Sequence, residues 1–88
     1  MEKTFTYHDI NDDEFVYIAD NEELLDVVVD FVYEVHFGAD KSLEVEPIKK
    51  GIKSFIEEND LLDKLVDDYE SDLKDYFRDI AYDEYKRG

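Results

Sequence analysis

Apolar and polar positions alternate at the start of the chain. In residues 3 to 19, "KTFTYHDINDDEFVYIA", Phe5 and Tyr7 alternate with Thr4, Thr6 and His8, and Phe15 and Tyr17 alternate with Val16 and Ile18. A period of two predicts two short strands, and the Asn and Asp residues between them are turn formers. The expected element is a β-hairpin whose tip carries Asp9, Asp12, Asp13 and Glu14. With no glycine in the turn, a loop longer than two residues is expected.

The period lengthens in "NEELLDVVVDFVYEV", residues 21 to 35. Val27, Val29, Phe31, Tyr33, Val35 and Phe37 also alternate as a strand would, and β-branched residues favour strands. Helical geometry separates the side chains better. At 100° per residue Glu22, Glu23, Asp26, Asp30 and Glu34 fall within an arc of roughly 120°, with Leu24, Val28, Phe31, Val32 and Val35 opposite. A strand would put Val28 and Val32 among the acids. Asp20, three residues before Glu23, fits a helix N-cap, and acids suit a helix N-terminus. A helix is therefore expected over residues 21 to 37.

Gly38 in "FGADKS" should end that helix, and "LEVEP" could add a short strand or an extended connection before Pro47. Pro47 suits the first turn of a helix running to about Glu58; Gly51 weakens it by roughly 1 kcal/mol and would be explained by close packing. Asn59 and Asp60 break the pattern, and Asp60 is placed to cap the last helix. Leu62, Val66, Tyr69, Leu73, Tyr76 and Ile80 then repeat at spacings of four and three, which predicts one long helix with a single core-facing seam. The expected fold is α+β: an N-terminal β-hairpin followed by about three helices, the last one longest, in one compact acidic domain over residues 1 to 88.

Charge changes what this fold is expected to do. The chain has 26 acids and 10 bases, a net charge of −16, yet 43% of it is hydrophobic, enough to give each element an apolar face. Phosphate backbones and anionic membranes are poor partners for such a surface, and basic proteins are good ones. Without cysteine there are no disulfides or thiolate metal sites. The opening "MEKTFTYHDINDDE" has no signal-like apolar run and no segment is long and apolar enough to span a bilayer. A soluble, cytoplasmic protein is expected, in the host cell if the chain is phage-encoded.

The acids are uneven. Between Lys3 and Lys41 there are eleven acids and no Lys or Arg, whereas the last helix interleaves Lys64, Lys74, Arg78, Lys86 and Arg87 with its acids. Three like-charge steps of four residues from Glu22 to Glu34 cost a helix on the order of 1 kcal/mol. A solvated acidic face, as in a salt-adapted chain, would explain acids everywhere but not this contrast. Alternatively "IKKGIKS" supplies Lys49, Lys50 and Lys53 as an internal or dimeric partner, which leaves most of the eleven acids uncompensated. The functional reading is a negative surface matched to a nucleic-acid-binding groove. Carboxylates one helical turn apart, about 6 Å, approach the phosphate density of duplex DNA once two rows are present. Tyr17 and Tyr33 are candidate aromatic anchors.

Other chemistry is weakly signalled. Asp9, Asn11 and Asp13 have the spacing of a calcium-binding EF-hand loop with Asp20 at the twelfth place, but Glu14 stands where the loop's glycine belongs. His8 and His36 belong to no triad or zinc pattern; His36 suits a helix C-terminus, and His8 a strand surface. With so many acids, chance pairs do not signal acid–base catalysis. No catalytic residue, metal site or cofactor is expected.

On size, charge and the stretches "HDINDDE" and "NEELLDVVVDFVYE", the chain resembles the small acidic phage-type DNA-mimic inhibitors, anti-CRISPR and anti-restriction proteins; the likeness covers mainly residues 9 to 34 and includes no alignable motif. The resemblance implies a non-enzymatic inhibitor that blocks the DNA-binding or PAM-reading site of a nuclease such as a CRISPR effector or restriction enzyme. The contact residues expected on this reading are Asp12, Asp13, Glu14, Glu22, Glu23, Asp26, Asp30 and Glu34. The alternative is an adaptor or structural protein assembling through Tyr69, Tyr76, Phe77, Tyr82 and Tyr85 of the last helix.

Overall fold

The computed structural model describes residues 1–39, 42 and 44–87. It has the α+β architecture expected, in the order β1 (Lys3–His8), β2 (Glu14–Ala19), α1 (Asn21–Phe37), α2 (Val45–Glu58), α3 (Leu62–Asp68) and α4 (Glu70–Arg87). The last helix is the longest, and the described residues form four helices where about three were expected. No helix among them is long and apolar enough to cross a membrane.

The strands pair antiparallel with Phe5 opposite Tyr17 and Tyr7 opposite Phe15. This register puts Phe5, Tyr7, Phe15 and Ala19 on a buried face and leaves Thr4, Thr6, Val16 and Ile18 in solvent. Two strands alone are marginal in water. α4 covers their inner face: Phe77, only 1% exposed, lies against Phe5 and Tyr17 with ring centroids 5.5 and 5.0 Å away. The Tyr7 hydroxyl donates to the Lys74 carbonyl at 2.7 Å, tying the strand to the helix by a second kind of bond.

Asp20 caps α1 as its position suggests, its side chain accepting the Glu23 N–H at 2.9 Å. α1 packs against both α2 and α3. Two flanks are consequently covered, and Leu25, Val27, Val29 and Tyr33 are buried along with Leu24 and Val28. Val35, expected in the core, is 66% exposed. Leu24, Val28, Ile56, Val66, Leu73 and Phe77 are the deepest large side chains, drawn from all four helices.

Three expectations are corrected. The final helical segment is broken at Tyr69, whose backbone (φ −103°, ψ 17°) departs from the helix although its N–H still reaches the Leu65 carbonyl. After this break the buried row is Leu73, Phe77 and Ala81, while Tyr76 and Ile80 are exposed. The seam expected to run through Tyr76 and Ile80 runs through Phe77 and Ala81 instead. Asp60 does not cap α3; it takes a left-handed conformation (φ 53°), and Leu61 holds the cap position without a side-chain bond. The Asn59 side chain instead donates to the Phe55 carbonyl at 2.9 Å and closes α2.

In "LEVEP" the chain is extended at Glu44, α2 begins at Val45, and Leu43 lies outside the described residues. Pro47 is in the first turn, where its missing N–H costs no helical bond. Gly38 ends α1 in a right-handed conformation; a Cβ there would stand 2.6 Å from the Glu34 carbonyl oxygen. Gly51 is not a close-packing glycine, since a Cβ would meet nothing within 4 Å. Gly51→Ala should therefore stabilise the fold by about 1 kcal/mol and raise the melting temperature by about 4 to 8 °C, measured by thermal circular dichroism. An unchanged or lower melting temperature would mean that the site is not open.

Candidate acidic interface

The hairpin tip is built around Asp9. Its Oδ1 accepts the N–H groups of Asn11 at 2.8 Å and Asp13 at 2.9 Å, while its own N–H donates to the Asp13 carbonyl at 3.0 Å. Asp12 takes a left-handed conformation (φ 63°), which an Asp tolerates better than most residues, and its N–H returns to the Asp9 carbonyl. The Tyr85 hydroxyl donates to the other Asp9 oxygen at 3.4 Å, linking the tip to α4. The Asp13 N–H bond is the main reason that the Asp9 carboxyl lies below the usual aspartate pKa; desolvation opposes it and the Asn11 bond adds to it. Asp9 thus serves as the frame of the turn. Its EF-hand-like spacing has this local purpose, and among the described residues no group of His, Cys, Asp and Glu is arranged to hold a metal ion.

Around this frame Asp12, Asp13 and Glu14 all stand exposed. Ile10, 99% exposed, projects beside them. It is an apolar residue at the most accessible point of an acidic turn, and its only sequence signal is an isoleucine inside "HDINDDE" where a polar residue would serve the turn better.

On α1, Glu22, Asp26, Asp30 and Glu34 are exposed on one side, as the helical spacing requires. They are not all uncompensated. Lys49 Nζ sits 2.8 Å from Asp30 Oδ1, and Lys53 Nζ sits 3.8 Å from Asp26 Oδ1. The spacing of four between the lysines matches that between the aspartates, read in the opposite direction because α2 returns antiparallel to α1. Lys49 also lies over the Tyr33 ring, 5.3 Å from its centroid. The hydrogen bond to Asp30 raises the Lys49 pKa, with Asp30, Glu46 and Glu34 as favourable charges and desolvation opposing. The counter-charge absent from the helix's own sequence is supplied to these two acids by "IKKGIKS".

Glu23 leaves the stripe altogether. It is half-buried and its carboxylate accepts the Tyr17 hydroxyl across the corner between β2 and α1. Burial, followed by this bond to Glu23, pushes the Tyr17 pKa up strongly. Tyr17 stacks on Phe77 and Tyr33 is buried, so neither is an exposed anchor.

The expected acids consequently form two patches. Asp12, Asp13 and Glu14 are at one end of β2, and Glu22 follows its other end, about 20 Å away along a six-residue strand. Among the described residues Glu22 and Glu34 make no ion pair, nor do the tip acids; the pairs apart from those of Asp26 and Asp30 are Lys3–Glu70 and Arg87–Asp83.

The aromatic residues of the rival interface are largely engaged. Phe77 is in the core, Tyr69 packs beside Phe31, and Tyr82 and Tyr85 lie against Phe15 with centroids 6.0 and 4.9 Å away. Tyr76 is more exposed but still meets Phe31 edge-on. His36 is exposed in the last turn of α1 and His8 is exposed at the end of β1. Comparison with family models, curated proteins and solved structures finds no match for the chain.

Because its folded-state pKa is depressed, ionised Asp9 favours the fold above the ordinary aspartate range, and this contribution disappears as pH falls through the depressed value. A carboxyl-carbon NMR titration should give Asp9 a midpoint below that of an ordinary aspartate; an ordinary midpoint would mean the cage does not persist. A double-mutant cycle between Lys49→Met and Asp30→Asn should give a coupling of about 0.3 to 1 kcal/mol that weakens with salt, and zero coupling at low salt would remove the clamp.

Proposed function

We propose that this protein is a stoichiometric, non-enzymatic inhibitor that occupies the basic nucleic-acid-binding site of another protein by presenting carboxylates where phosphates would lie. Its target class is a host defence nuclease, a CRISPR effector or a restriction enzyme, reached in the cytoplasm. The observation that carries this reading is the exposed and rigidly framed acid cluster of Asp12, Asp13 and Glu14 on a chain of net charge −16. Since Asp9 fixes the turn, little conformational freedom remains to be lost when arginines close on these carboxylates. Ile10 adds an apolar contact among the charges, the combination from which binding hot spots are made.

Glu22 and Glu34 extend the surface along α1. Asp26 and Asp30 join it differently, since their lysine pairs must open or be shared for an incoming arginine to bind them. Reversing either to lysine would set like charges together and confuse loss of binding with loss of fold. Neutral substitutions away from the clamp separate the two effects.

The test begins with capture of proteins from host lysate on the immobilised chain and continues with competition against duplex DNA for each captured protein. A basic nucleic-acid-binding protein that cannot hold both at once is expected, with affinity falling as salt rises. A partner that binds DNA and this chain together would overturn the proposal. Combined Asp12→Asn, Asp13→Asn, Glu14→Gln and Ile10→Ser changes should weaken binding by at least about ten-fold, roughly 1.4 kcal/mol, with the melting temperature nearly unchanged. Unchanged affinity would displace the tip from the interface.

A further inference from the structure

Cross-strand partners share a face, so Thr4 with Ile18 and Thr6 with Val16 form the outer side of the hairpin. Val16 and Ile18 are 50% and 54% exposed there. The backbone of the same two residues is also open. The Asp9 N–H bonds the Asp13 carbonyl at 3.0 Å, which makes theirs a hydrogen-bonded pair, and such pairs alternate along an antiparallel ladder. Tyr7 with Phe15 and Phe5 with Tyr17 are then bonded pairs, and the N–H and C=O groups of Val16 and Ile18 point to the outer edge of β2. The sheet has two strands, and among the described residues no other element bonds these groups through its backbone.

We infer that this edge accepts an extended basic segment of a partner protein as a third, antiparallel strand. The segment's backbone bonds Val16 and Ile18, its apolar side chains lie beside theirs, and its cations meet acids at both ends. The alternation that exposes Val16 and Ile18 reaches Glu14 at one end and Asp20, still extended (φ −82°, ψ 176°), at the other. The row is therefore acid, apolar, apolar, acid over about 20 Å. Asp20 also caps α1 through Oδ1, and its charge remains. Burial, then Glu23, Glu84 and Asp20, raise the Tyr17 pKa, so three carboxylates act on the middle of the strand. Between Lys3 and Lys41 the sequence supplies no Lys or Arg. Arg78 and Lys86 of α4 line a separate cleft under the tip with His8 and Asp79, and neither Glu14 nor Val16 is among its walls.

Edge and charge together select the occupant. β1 has an open edge too, but Lys3 and His8 flank its threonines. A second copy added antiparallel to β2 about Tyr17 would set Glu14 of each copy opposite Asp20 of the other, and like charges so placed are unfavourable. A helix satisfies its backbone groups internally and has none to give a strand edge. An extended segment with two apolar residues between cations gains hydrogen bonds, burial and charge neutralisation at once. Val16 and Ile18 are no part of the proposed tip contact, and the edge holds whether or not the tip occupies a nucleic-acid cleft.

The probe is a synthetic peptide of about seven residues, enough to span from Glu14 to Asp20, with lysine at each end, valine at the third and fifth positions and threonine elsewhere. Two controls keep every side chain and charge. N-methylation of both valines removes the N–H groups that face β2 in antiparallel register, and N-methylation of the second and sixth residues removes N–H groups that face away. The valine-methylated peptide should bind at least about ten-fold more weakly than the other. Equal binding, or none by the unmodified probe, would overturn the inference. Hydrogen exchange read by NMR locates the site: the Val16 and Ile18 amides should exchange freely in the free protein and become protected with the probe, with Phe15 and Tyr17 protected throughout. Protection of Val16 and Ile18 in the free protein would mean that the edge is already covered, by a second copy if it fades on dilution, and would also overturn the proposal. Val16→Thr with Ile18→Thr keeps β-branched side chains and should weaken the probe about five-fold at a nearly unchanged melting temperature; unchanged affinity would remove the apolar contact. Asp12→Asn and Asp13→Asn should leave the difference between the two methylated peptides intact, so failure here and failure of the nuclease reading are separable.

Discussion

A two-stranded hairpin holds its shape only if its apolar face is covered, and in this protein Phe77 covers it by stacking between Phe5 and Tyr17. The contact brings the first and last elements of the chain together and closes the core over Leu24, Val28, Ile56, Val66 and Leu73. Burial of one such aromatic ring is worth about 1.5 to 3 kcal/mol, a large part of the net stability of a small domain. The same docking gives the tip its support, since Tyr85 on the final turns of α4 reaches Asp9. An exposed loop that carries three acids and an isoleucine is thereby held by the core, through α4, in one arrangement.

The second constraint is electrostatic. Three repulsive steps along α1 cost on the order of 1 kcal/mol. The two pairs to α2, each worth about 0.2 to 1 kcal/mol at such exposure, offset that cost without reversing the sign of the surface. They also orient α2. Lys49 and Lys53 are held on the α1 side of that helix, while Ile48, Ile52 and Phe55 line the apolar groove between α1, α2 and α3.

Periodicity made the hairpin legible in the sequence because alternating side chains and asparagine- or aspartate-rich turns report local geometry directly. Asp20 before Glu23 was equally local, and its capping bond forms as expected. The break at Tyr69 was not legible: Leu62, Val66, Tyr69 and Leu73 repeat smoothly, and only the docking of α4 under the strands decides that Phe77 and Ala81, not Tyr76 and Ile80, complete the row. Val35 failed for the same reason, since an apolar residue on the correct arc still needs a neighbour to cover it. Among the candidate site residues, exposure of Asp12, Asp13, Glu14, Glu22 and Glu34 followed from spacing, while the partners of Glu23, Asp26 and Asp30 did not. Those partners come from other elements. The matched intervals Asp26 to Asp30 and Lys49 to Lys53 were the one available signal, and it becomes informative only once α1 and α2 are known to run antiparallel.

Net charge alone would make this protein a diffuse anion, attractive to any basic surface and selective for none. Selectivity needs features that charge does not supply, and the fold has two of them. At the tip, Ile10 and a hydrogen-bonded turn give the carboxylates a fixed spacing and an apolar centre. On the helical side, Phe55 stands exposed on the rim of an apolar groove that Gly51 helps to line. A partner that satisfied only the charge would be held weakly and lost as salt rises, because exposed ion pairs are screened over about 10 Å. A partner matching either apolar feature would keep its hold through burial, which salt does not screen. On the proposed reading the acidic surface would bring basic proteins near, and these apolar positions would decide which of them stay.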